Sequence, residues 1–153
     1  MSLNRVFSTS FSPWMLVGAL VIGCSPPVQK VPPDGNPSFG PHGGPVVPLP
    51  GDLGYVEISQ EPTSGGTRLV ANFYASAELG EPLSPLPTEV RIDLEQPGGG
   101  SSQATLSPDP KPGVTRFASS SGNADFEVDP LIGTLHVTIS GQAVSVLFSG
   151  GIR

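Results

Sequence analysis

A chain of 153 residues is about one domain long, and its 13 acidic against 7 basic side chains give it a net charge of −6. It has no cluster of Lys and Arg, which speaks against nucleic acid, whose phosphates demand cations, and against a polybasic contact with anionic lipid. The single cysteine excludes a disulfide within the chain, while 20 Gly and 19 Pro stand well above ordinary usage and are concentrated rather than spread.

Met1 to Pro13 holds one basic residue, Arg5, and no acid, and Trp14 to Ile22, WMLVGALVI, is then uninterrupted apolar sequence. That run is too short for the roughly 18 residues a spanning helix needs, and a basic start followed by a short apolar stretch and small residues is the pattern of a removed secretory signal. Its last four residues, Val21-Ile22-Gly23-Cys24, resemble the bacterial lipobox. The resemblance implies a diacylglyceryl group on the Cys24 thiol, cleavage that makes 1–23 a signal peptide, and acylation of the new amine by a fatty acid such as palmitate. Each buried methylene contributes about 0.8 kcal/mol, so two or three chains on one residue anchor a protein with no membrane-spanning helix. In lipoproteins of this type a serine after the cysteine, here Ser25, implies the outer membrane, facing the periplasm or the cell surface.

Without residues 1–23 the chain has 130 residues, with 6 basic and 13 acidic side chains and a net charge of −7. Residues 24–50 read as the lipidated start and a spacer, since Pro26 to Pro50, PPVQKVPPDGNPSFGPHGGPVVPLP, is dominated by Pro and Gly. Proline lacks a ladder donor and pushes the residue before it toward extended backbone, so 25 such residues reach about 75 Å at most.

From Gly51 the apolar period is two. Val90-Arg91-Ile92-Asp93-Leu94-Glu95 puts three aliphatic residues on one face and charge on the other. In TLHVTISGQAVSVLF a two-residue type II′ turn at Gly141-Gln142 pairs Ile139 with Val144, Val137 with Val146 and Leu135 with Phe148, leaving His136, Ser145 and an exposed Leu147 on the other face. Further strands are expected around Tyr55 to Ser59, Arg68 to Ala75, Gln103 to Leu106, Thr115 to Ala118 and Asp125 to Val128, separated by turn-rich segments. The expected fold for 51–153 is all-β, a single small antiparallel β-sandwich of immunoglobulin-like size with seven or eight strands.

Catalytic signals are weak. There is no G-x-S-x-G elbow and no P-loop, and Gly98-Gly99-Gly100 lies between strands with no following helix to hold phosphate. The carboxylate pairs Asp93/Glu95 and Asp125/Glu127 read as solvated strand faces, and His136 as an exposed titratable histidine. The chain is therefore expected not to be an enzyme. For metal, His42 before Gly43 and Gly44 could swing a ligand against the domain beside Glu57, although no clustered ligand set accompanies it, and the plain alternative is a turn where spacer meets strand. Asn123, Asp125 and Asp129 are oxygen donors without EF-hand spacing.

A lipobox, a Pro-rich spacer, the element Pro41-His42-Gly43-Gly44, a GYVEI strand, Phe126-Glu127 and a closing TISG hairpin occur in this order. The sequence resembles a group of small, uncharacterised bacterial envelope lipoproteins, and its HGG-containing β-domain is similar to domains appended to periplasmic adaptors of metal-efflux systems. The resemblance implies a membrane-anchored, non-enzymatic envelope lipoprotein that displays its β-domain to bind or brace an envelope protein or cell-wall partner, with no cofactor besides the lipid on Cys24. The alternative it implies is a periplasmic metal-binding accessory using His42 and carboxylates. Histidines near the strand matching Gly54 to Ile58 are common in that group and absent here.

Overall fold

The computed structural model describes residues 39–151. Cys24, the signal segment and the spacer up to residue 38 lie outside the described residues. The protein is all-β and antiparallel, as its period-two pattern requires. Eight strands, β1 (Val46–Leu49), β2 (Gly54–Thr63), β3 (Gly66–Tyr74), β4 (Thr88–Glu95), β5 (Ser101–Pro108), β6 (Thr115–Ser119), β7 (Leu131–Ile139) and β8 (Gln142–Gly150), form one sheet in the order β1-β2-β3-β6-β5-β4-β7-β8. Among the described residues no helix is long and apolar enough to cross a membrane.

The sheet folds on itself because β5 changes partner along its length. Its first half, Ser101 to Thr105, pairs with β4, and its second half, Leu106 to Pro108, pairs with β6. One half-sheet of β1, β2, β3 and β6 therefore faces another of β4, β7 and β8, and the edge strands β1 and β8 lie close together in a barrel-like closure. A single apolar core fills the space between, with Val56, Ile58, Leu69 and Phe73 from one side meeting Ile92, Leu94, Leu135 and Val146 from the other. Phe73 and Phe117 pack edge to face at 5.8 Å, the geometry their ring quadrupoles favour.

Three local features differ from the sequence expectation. First, residues 39–50, assigned by composition to the spacer, belong to the domain. Val47 and Leu49 of β1 point into the core while Pro48 faces outward, which a proline tolerates on an edge strand because its missing N–H breaks no ladder bond. Second, Asp125 to Val128 is not a strand. Ala124–Phe126 is a single 3-10 turn begun by Asn123, whose side chain accepts from the Asp125 amide at 3.0 Å. The alternation that suggested a strand comes from Phe126 and Val128, which plug the core from a loop held by Gln60 Nε2, a donor to both their carbonyls.

Third, the closing hairpin turns at Ser140-Gly141, one residue earlier than expected. Both residues have positive φ, 52° and 78°, the requirement of a type I′ turn with glycine second, whereas a type II′ turn wants glycine first. Ile139 now pairs with Gln142, Val137 with Val144 and Leu135 with Val146. The slip is two residues, so every side chain keeps its face, and the six aliphatic and aromatic positions remain buried. His136 consequently lies opposite Ser145, and Leu147, expected to be exposed, is half-buried opposite Thr134.

Candidate functional site

Strands β2 and β3 are buried on both faces, which the one-sided pattern did not predict. On the side away from the core they carry Glu57, Ser59, Val70, Asn72 and Tyr74, all buried. Glu57 has no exposed surface, and a charged side chain in that position persists only when it is fully hydrogen-bonded. The segment before β1 does this. Residues 40–44 curl into a loop closed by the Gly40 amide donating to the Gly44 carbonyl at 2.9 Å and the Gly43 amide to the Gly40 carbonyl at 3.0 Å.

This loop wraps the Glu57 carboxylate. The His42 amide donates to Oε1 at 2.7 Å and the Gly44 amide at 3.3 Å, while Oε2 meets His42 Nδ1 at 2.9 Å and accepts from the Tyr74 hydroxyl at 3.1 Å. A carboxylate only accepts, so the His42 ring donates to Oε2 through Nδ1. The glycines are required by contact. A Cβ on Gly40 would sit 2.3 Å from the Glu57 carboxyl carbon, and one on Gly44 would sit 1.8 Å from the Ile58 carbonyl oxygen. Gly43 has φ 80°, open to glycine at no steric cost. Burial pushes the Tyr74 hydroxyl well above its ordinary range, and the adjacent Glu57 charge pushes it further. Asn72 Nδ2 lies 3.3 Å from His42 Nδ1, while Asn72 Oδ1 and Ser59 Oγ are buried with no hydrogen-bond partner among the described residues.

The two residues singled out from sequence for metal, His42 and Glu57, are therefore neighbours, but as an imidazole–carboxylate pair. Each Glu57 oxygen accepts two hydrogen bonds in this arrangement. The His42 side chain is 40% exposed, and Glu57 stands as the carboxylate that fixes its ring. Among the described residues no three His, Cys, Asp or Glu side chains gather in a metal-binding group. Asn123 is occupied as the cap of the 3-10 turn.

Beyond the clasp on the same face lies an ion network that sequence reading missed. Arg116 of β6 has 1% of its side chain exposed. It donates to Glu61 Oε2 at 2.6 Å and Asp109 Oδ2 at 2.9 Å. Arg68 donates to Glu61 Oε2 at 2.7 Å, and Lys111 stands 3.8 Å from Oε1. The hydrogen bond from Arg116, with that from Arg68 and against partial burial, holds the Glu61 carboxyl at about 2, down from 4.5. A folded-state value below the unfolded one makes this stabilisation complete above pH 4.5 and lost as pH falls toward 2. In Glu61→Gln the urea midpoint is expected to lose its steep fall across that window, which a pH series of unfolding curves measures.

The second histidine sits on the outer face of the opposite half-sheet. His136 Nε2 donates to Asp93 Oδ2 at 3.1 Å, its Nδ1 meets Ser145 Oγ at 2.8 Å, and Gln103 Nε2 donates to Asp93 Oδ1 at 2.8 Å. The order hydroxyl, imidazole, carboxylate is that of a nucleophile with its base and orienting acid. The N–H groups of β7 and β8 lie in the sheet plane and serve the ladder between the two strands, at right angles to the face that carries Ser145 Oγ. Comparison with protein-family models, with curated proteins and with solved structures finds no match to this chain.

Proposed function

We propose that this chain is a lipid-anchored protein of the bacterial envelope that displays its β-domain as a non-enzymatic module, binding or bracing another envelope component. The reading of its location is supported by the lipobox residues Val21 to Cys24. The reading as a display module is carried by one observation, the clasp of residues 40–44 over Glu57. It fixes the point where the tether joins the fold, so a spacer ending at this junction holds the domain from a defined site.

A second reading, a metal-binding accessory, draws support from His42, a half-exposed ring that the buried Glu57 orients through Nδ1. Its missing ligands would have to come from a partner. Intact mass of the protein extracted from its native membrane tests the first reading. The expected species begins at Cys24 with a diacylglyceryl group and a fatty acid, and Cys24→Ala abolishes it; an unmodified chain cut elsewhere would sink the tethered module. Stoichiometric zinc or copper that disappears in His42→Ala would favour the second reading.

A further inference from the structure

The outer face of β4, β7 and β8 carries a depression of about 470 Å³, within the usual range for small-molecule sites, whose polar lining includes Glu89, Arg91, Thr105, His136, Thr138 and Ser145. A β-bulge forms it. Thr88 pairs with Thr138 and Arg91 with His136, so β4 spends one extra residue where β7 does not. Glu89 absorbs the irregularity at φ 52°, a left-handed conformation that costs a glutamate energy, and the bulge re-aims its carboxylate. That carboxylate accepts from the Thr138 hydroxyl at 3.2 Å and makes no ion pair among the described residues.

Two residues on, Arg91 has the opposite condition. Its contacts with Asp93 are long, 3.4 and 3.5 Å, and its buried Nε has no hydrogen-bond partner among the described residues. Asp93 is meanwhile satisfied by His136 and Gln103. An acid without an ion-pair partner among the described residues and a guanidinium with a spare donor thus line one depression, with the hydroxyl of Thr105 and the His136–Ser145 pair in register with Arg91. A buried donor left unpaired calls for an acceptor, and an exposed carboxylate at the rim attracts a cationic group of a ligand.

We infer that this depression is the ligand site of the binding module proposed above, on which it rests, and that its ligand is a small zwitterion with an amine facing Glu89 and a carboxylate facing Arg91, as in a short peptide with free ends. The His136–Asp93–Gln103 chain positions the floor without touching the ligand's charges.

The test is a titration of the 15N-labelled full chain with alanylalanine, its N-acetyl form and its C-terminal amide, followed by amide shifts. Saturable shifts around Glu89, Arg91 and Ser145 are expected with alanylalanine, with both blocked forms at least about tenfold weaker. Glu89→Gln should erase the penalty for losing the amine, and Arg91→Gln the penalty for losing the carboxylate. No saturable shifts, equal binding of all three probes, or shifts confined to another face would overturn the site. A crosslinked envelope partner on a different surface, with β4 and β7 unmoved by the dipeptide, removes this inference and leaves the binding module standing; a chain that yields neither loses both.

Discussion

Glu57→Ala should lower the unfolding free energy by about 3–5 kcal/mol, the usual consequence of removing one partner from a buried charged hydrogen-bond set. The carboxylate is fully enclosed and accepts from the His42 and Gly44 amides, the Tyr74 hydroxyl and His42 Nδ1. Alanine leaves two backbone N–H groups and a hydroxyl without acceptors in a space that the loop glycines have closed to near contact. A midpoint fall of more than about 10 °C is expected in a thermal melt. His42→Ala removes only a half-exposed ring and one hydrogen bond, and should cost about 1 kcal/mol. If the two variants were equally mild, the loop would not be held by the carboxylate and the fixed tether junction would lose its basis.

How much of this clasp the sequence announces depends on which side of a strand is asked about. The core side was legible, because Val90, Ile92 and Leu94, or Leu135, Val137 and Ile139, alternate with polar residues and one water-facing side is assumed. The second face of β2 and β3 was not. In YVEIS, Glu57 occupies the position of an ordinary solvated residue, and only the loop that folds back over it changes its environment. A signal existed in β3, where Leu69 to Tyr74, LVANFY, is nearly continuous in apolar residues, as strands covered on both sides are. Strand β1 was hidden by Pro45, Pro48 and Pro50, whose abundance reads as spacer even though Val47 and Leu49 keep a strand's period. The pairing of His136 with Ser145 depended on the turn type, which rests on Ser140 adopting positive φ, a choice its side chain does not advertise.

Arg116→Ala is the second large effect, expected at about 2–4 kcal/mol from lost charge-assisted hydrogen bonds and lost packing of the long side chain. Burial by itself pushes this guanidinium down, but its hydrogen bonds to Glu61 and Asp109 carry it above its ordinary range. It spans from β6 to Glu61 at the far end of β2, so its removal cuts the link from β6 to Glu61 and Asp109 and leaves Arg68, 2.7 Å from Glu61 and 3.3 Å from Asp109, as the arginine between those two acids. Glu61 and Asp109 are only partly buried and can regain water, which keeps the loss below that of a sealed ion pair. Because Arg116 is the main cause of the low Glu61 value, the variant should also move the acid limb of the stability curve upward from about 2 toward 4.5. Arg116→Met separates the contributions: it restores the apolar stem without the charge, so it should recover part of the lost stability and none of the acid resistance. Recovery of both in urea unfolding followed over pH would mean that the network packs β2 against β6 without contributing electrostatically.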